Sequence, residues 1–161
     1  MAVRRVLGID PGLSSTGYGI VDFSNNRYSL VTYGVISTKA GEPHGERLLC
    51  IYNRLTAVLS EFQPTEAALE TLYFARNVSS AIPVSEAKGV TILCLAQHVV
   101  PLAEYAPNTI KLSVTGTAAA GKEAVQKYVK LLLGLSKIPE PDHAADALAV
   151  AITHINQRAL G

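Results

Sequence analysis

The hydrophobic period of this chain changes once, near residue 45, and that change limits the folds open to it. Upstream, apolar residues come in short runs cut by turn residues. Arg5 to Ile9 reads as a strand closed by Asp10-Pro11-Gly12. Thr16 to Asp22 reads as a second strand, ended by Asn25-Asn26, and Tyr28 to Ser37 as a third. Turns this short favour antiparallel neighbours. From Gly45 to Phe62 the residues Leu48, Leu49, Tyr52, Leu55, Val58 and Leu59 recur at helical spacing, and Pro64 stops the helix. Strands and helices then alternate: a strand from Glu66 to Leu72, a mostly helical stretch from Val78 to His98 with Pro83 near its start, and a fifth strand from Val99 to Tyr105. A short helix follows Pro107, then a Gly/Ala-rich loop from Gly116 to Gly121, a helix from Lys122 to Leu133, and a last helix from Asp142 to Arg158. Hairpins followed by alternation predict an α/β fold, with one mixed five-stranded sheet and helices on both faces.

The 161 residues suit one domain spanning 1–161, and 48% hydrophobic against 17% charged residues is a globular composition. The formal charge is only +1, so any nucleic-acid binding must rest on a local patch. No apolar run suggests a signal peptide or a membrane span. Cys50 and Cys94 sit in apolar stretches without a Cys/His cluster around them, which predicts free thiols and a cytoplasmic protein.

Chemistry-bearing residues gather at the edges of apolar elements. Asp10 ends the run Gly8-Ile9, where a carboxylate needs a partner, a metal, or its own Asp-Pro-Gly turn to cap. Glu70 ends Ala67-Ala68-Leu69, and strand ends are where α/β sites form; a solvated terminal Glu is the plainer alternative. In Asp142-His143-Ala144-Ala145-Asp146 the spacing puts His143 and Asp146 on one face of the last helix. Simple helix-end electrostatics also favours acids there. Taken together, these carboxylates and one imidazole form a donor set suited to hard divalent cations. Such ions can activate a water for phosphodiester cleavage.

In this order along the chain, Gly8-Ile9-Asp10-Pro11-Gly12 with Thr16-Gly17-Tyr18-Gly19, Glu70 with Tyr73-Phe74-Ala75-Arg76-Asn77, Ala87-Lys88-Gly89, Ile110-Lys111 with Gly116 and Lys122, and His143-Ala144-Ala145-Asp146-Ala147-Leu148 resemble the RuvC family of Holliday-junction resolvases. The resemblance runs from about residue 6 to 155. It implies a ribonuclease-H-like fold and a homodimer. It implies a structure-selective endonuclease that resolves four-way DNA junctions by paired symmetric nicks in recombination and repair. It also implies dependence on Mg²⁺, with Mn²⁺ as a substitute and two ions per site. Asp10, Glu70, His143 and Asp146 fall on the family's metal-binding and catalytic positions. His143 stands where a carboxylate is commoner, and Asp142 beside it leaves a second candidate. Lys111, Lys122 and Arg76 match DNA-contacting positions, and Tyr73 an aromatic at the junction crossover that could stack on an unpaired base. A branch-migration motor is the further partner the family suggests.

Two other readings are weighed. An actin-like ATPase or sugar kinase also starts from a strand and an Asp-x-Gly turn, but needs two lobes and a second phosphate loop that 161 residues do not hold. A non-catalytic junction-binding dimer would follow if His143 cost the site its metal.

Overall fold

The computed structural model describes residues 2–71 and 78–159. Strands β1 (Arg4–Asp10), β2 (Ser15–Ser24) and β3 (Arg27–Ser37) form an antiparallel meander, followed by helix α1 (His44–Phe62). Strand β4 (Glu66–Glu70), helix α2 (Val78–Gln97) and strand β5 (Leu102–Tyr105) come next, then α3 (Pro107–Thr115), α4 (Lys122–Leu132) and α5 (Asp142–Ala159). The sheet order is β3-β2-β1-β4-β5, with β1, β4 and β5 parallel. This is the mixed five-stranded sheet expected from the element order.

Each face of the sheet is buried by its own helices. Leu7, Ile9, Ile20, Ala67 and Leu69 pack with Ile51 and Leu55 of α1 and with Ala87, Cys94 and Leu95 of α2. Val6, Val21 and Ala68 pack on the other side with Ile110, Val125, Val129 and the apolar stripe of α5. Side chains alternate across a strand. The parity that sends Val6 and Ala68 toward α5 therefore sends Asp10 and Glu70 the same way. The parallel register pairs Ile9 with Leu69, so Asp10 and Glu70 are the next residues on neighbouring strands.

Two elements differ from expectation. Strand β4 ends at Glu70, and residues 72–77 lie outside those described. Strand β5 starts at Leu102 because Val99 and Val100 belong to the end of α2. Val99 takes a left-handed φ of 56°, and the amides of Val99 and Val100 bond back to the carbonyls of Ala96 and Leu95. A left-handed residue with these two bonds is the usual closure of a helix, here carried by a β-branched residue in place of glycine. Helix α2 is by length and composition apolar enough to cross a membrane. Its Ala87, Thr91, Cys94 and Leu95 are instead buried in the core, while Val78, Ile82 and Leu93 are exposed.

At the end of the sheet away from Asp10, a charged network holds β1, β4, β5 and α5 together. Arg4 donates through Nε and Nη2 to both oxygens of Glu66 at 2.9 and 3.1 Å. Buried His154 of α5 lies 2.7 Å from Glu66 through Nε2 and 2.8 Å from the Tyr105 hydroxyl through Nδ1. The Arg4 guanidinium lowers the Glu66 carboxyl to about 2, with burial opposing and His154 assisting. The unfolded carboxyl titrates near about 4.3. Glu66 thus stabilises the fold above that value and loses its contribution as pH falls toward 2. Glu66→Gln should cost about 1–3 kcal/mol at neutral pH and flatten the decline in stability across the acid range. Denaturant melts at a series of pH values followed by circular dichroism measure both, and parallel slopes for variant and wild type would remove Glu66 from acid stability.

Candidate active site

The first ligand-bearing turn is built without help from its aspartate. Thr16 closes it, donating through Oγ1 to the Gly12 carbonyl at 2.7 Å. Arg47 braces the segment that follows, donating to Ser14 Oγ and Thr38 Oγ1, both at 2.9 Å. The Asp10 carboxylate is left to point at α5, where His143 Nδ1 donates to Oδ2 at 2.9 Å. A neutral His143 ring with its proton on Nδ1 carries its lone pair on Nε2.

Helix α5 starts beside this contact and brings Asp146 to the same place. Burial raises the Asp146 carboxyl above its ordinary value, and the charge of Asp10 adds to that; Lys122 and His143 pull it back. Burial likewise raises Glu70, helped by Asp10 and Asp146 and opposed by Lys111. Three carboxylates from β1, β4 and α5 therefore repel one another across a small space. Lys122, from the first turn of α4, lies 3.5 Å from Asp146 and 3.3 Å from Asp142. A cleft lined by Glu70, Pro107, Lys111, Lys122, Val125 and Asp146 opens between these acids and the two lysines.

The structure thus brings together Asp10, Glu70, His143 and Asp146, with Lys111 and Lys122 facing them. Asp142, the rival of His143, is 66% exposed and turned toward Lys122 and Gln126 Nε2. Tyr73 and Arg76 lie outside the described residues. Among the described residues, no three acidic, histidine or cysteine side chains are close enough to hold one ion as they stand. The donor set still fits a hard cation, because the oxygens are anionic, clustered by the fold and destabilised by one another.

Comparison with known proteins places this geometry. Residues 6–154 match the family model of crossover junction endodeoxyribonuclease RuvC. The chain belongs to the RuvC family. The family relative from Treponema denticola is 59% identical over 154 residues, covering 94% of this chain and 85% of that one. The solved structure of Thermus thermophilus RuvC superposes with a TM-score of 0.89. The same protein in complex with Holliday junction substrate gives 0.93 at 35% identity, covering 98% of this chain and 96% of that one. The fold is accordingly ribonuclease-H-like, and membership makes this chain a crossover junction endodeoxyribonuclease. The nucleases of the RuvC family depend on divalent metal.

Sequence reasoning passed over one component of the site. Gly17, opposite Asp10 in the antiparallel register, touches the backbone of His143. The signal was present in Thr16-Gly17-Tyr18-Gly19, two glycines on one face of a strand.

The crowding of charge has a measurable cost. An acid whose folded pKa is raised loses stability for the fold as pH climbs through its titration. At neutral pH without metal, Glu70→Gln should raise stability by about 1 kcal/mol, or about 2–4 °C in melting temperature. Calorimetry in chelator checks this, and a lower melting temperature would contradict the repulsion described.

Proposed function

We propose that the protein resolves four-way DNA junctions by paired symmetric nicks, with Asp10, Glu70, His143 and Asp146 as the catalytic and metal-holding set. The observation that carries the reading is the convergence of Glu70 and Asp146, both within reach of the Asp10 charge, on a cleft that also holds Lys111 and Lys122. Divalent ions, Mg²⁺ or Mn²⁺ and two per site, would supply a water acidic enough to attack the phosphodiester and charge to stabilise the leaving oxygen. Asp10, Glu70 and Asp146 are the anionic ligands. His143, with Nδ1 committed to Asp10, offers Nε2 as a ligand or as acceptor of the proton from the attacking water. Lys111 and Lys122 bind the phosphates flanking the scissile bond. A cation held by Asp146 would loosen the hold on Lys122, which Asp142 and Asp146 now share, and leave it available for that work. Tyr73 stacks on a base unpaired at the crossover, and Arg76 contacts the DNA.

Two opposed cuts on a nearly two-fold junction require two sites, met most simply by an isologous dimer. The exposed Val78, Ile82 and Leu93 of α2 support that face as the interface. A branch-migration motor is the further partner. Free Cys50 and Cys94 are in keeping with a cytoplasmic place of action.

On a synthetic four-way junction with Mg²⁺, Asp10→Asn, Glu70→Gln and Asp146→Asn should each lower nicking by at least about 10²-fold, more than losses typical of residues that only orient ligands. Gel-shift affinity for the junction should stay near wild type. Near-normal resolution by Asp10→Asn would remove the assignment. Light scattering at micromolar concentration should give about twice 17.1 kDa, and a strict monomer that still made paired cuts would exclude the dimer.

A further inference from the structure

Helix α5 rests on backbone, not on side chains, where it crosses β1 and β2. A methyl carbon added to Gly17 would fall 2.0 Å from the His143 carbonyl oxygen, 2.4 Å from its carbonyl carbon and 2.9 Å from its Cβ. One added to Gly8 would fall 1.9 Å from the Ala147 carbonyl oxygen. Neither site has room for a Cβ, and both obstacles are backbone. Gly19 differs in degree, because its nearest obstacles are the Cγ and one Cδ of the Leu148 side chain at 2.6 Å, with the helix backbone further off at 3.2 Å. Gly17 is also the register partner of Asp10. One point of contact therefore determines how near the first turn of α5 stands to the Asp10 strand, and His143 and Asp146 are carried on that turn.

We infer that Gly17 is a positioning residue for metal binding and for the nick: the missing Cβ sets the seat of α5 that brings His143 and Asp146 within reach of Asp10. This rests on the reading of Asp10, His143 and Asp146 as the metal-holding set. The contact has little slack. His143 Nδ1 meets Asp10 Oδ2 at 2.9 Å, and lifting the helix by the room a methyl group needs would open that bond beyond hydrogen-bonding range. Displacements of about 1 Å at a reacting centre can cost 10²-fold in rate, and loss of the groups that orient ligands costs about 10–100-fold in metal affinity.

The test compares Mn²⁺ binding, read by electron paramagnetic resonance of the free ion without DNA, with single-turnover nicking and junction affinity. The proteins are wild type, Gly17→Ala, Gly19→Ala, Gly45→Ala and Asp10→Asn. Gly45 has open space around it and controls for the loss of a glycine as such. Gly17→Ala should bind Mn²⁺ about 10–100-fold more weakly and nick about 10²-fold more slowly. Its junction affinity should hold, and raised Mn²⁺ should restore part of the rate. Gly19→Ala, whose added carbon meets chiefly a side chain, should lose thermal stability while keeping more of its Mn²⁺ affinity than Gly17→Ala. Wild-type Mn²⁺ affinity in folded Gly17→Ala, with Asp10→Asn impaired, overturns the positioning role and leaves the site reading intact. Undiminished binding by Asp10→Asn overturns the site reading itself. If Gly17→Ala does not fold, Ala144→Ser adds one atom to a fully buried residue of the same turn of α5. Weakened Mn²⁺ binding there supports the inference, and wild-type binding overturns it.

Discussion

The contact between α5 and the bare backbone of β1 and β2 is the interaction on which the rest of the structure depends. Glycine at positions 8 and 17 lets the helix approach where any side chain would hold it off. The approach closes one half of the core, with Leu148, Ile152 and Ile155 completely buried. It also delivers His143 to Asp10. Packing and chemistry thus share a single geometric condition, and strand pleat does the remaining work. Asp10 and Glu70 face the helix because Val6 and Ala68 do.

That economy leaves a charge problem in place. Burial, and after it the neighbouring acid charges, raise the carboxyls of Glu70 and Asp146, and a stability-optimised protein would not put them beside Asp10. Lys122 offsets part of the repulsion from outside. The arrangement makes sense when a divalent cation is counted among the components, because the same repulsion that weakens the empty fold strengthens the bound one. The network at the other end of α5 is the opposite case. Arg4, Glu66, His154 and Tyr105 satisfy one another and lower the Glu66 carboxyl.

Most of the sheet was legible because it rests on short-range signals: alternating apolar runs, Asn25-Asn26 at one turn, Asp10-Pro11-Gly12 at another. The four proposed site residues were legible as polar ends of apolar elements, and family motifs joined them. The start of β5 was not, because Val99 and Val100 have the composition of a strand. Only the bonds to Ala96 and Leu95 reveal them as the end of α2. The choice between Asp142 and His143 was equally closed to sequence. One residue along a helix is about 100° of rotation, and with α5 lying against Gly17 it is His143 that meets Asp10, while Asp142 is left at the rim. The Glu66–His154 pair joins residues 88 positions apart, with no local pattern to announce it.

Helix α5 is fastened twice, by close backbone contact at its first turn and by His154 three turns further on. A rod held at two points cannot rock about either. The acidic wall of the cleft is therefore an anvil pinned at two places, and the lysines face it from the opposite wall. That wall is α3 and α4, joined through the exposed Gly/Ala turn at 116–121. The two walls share one foundation, because Ile110 of α3 and Val125 and Val129 of α4 are buried in the same core as the apolar stripe of α5.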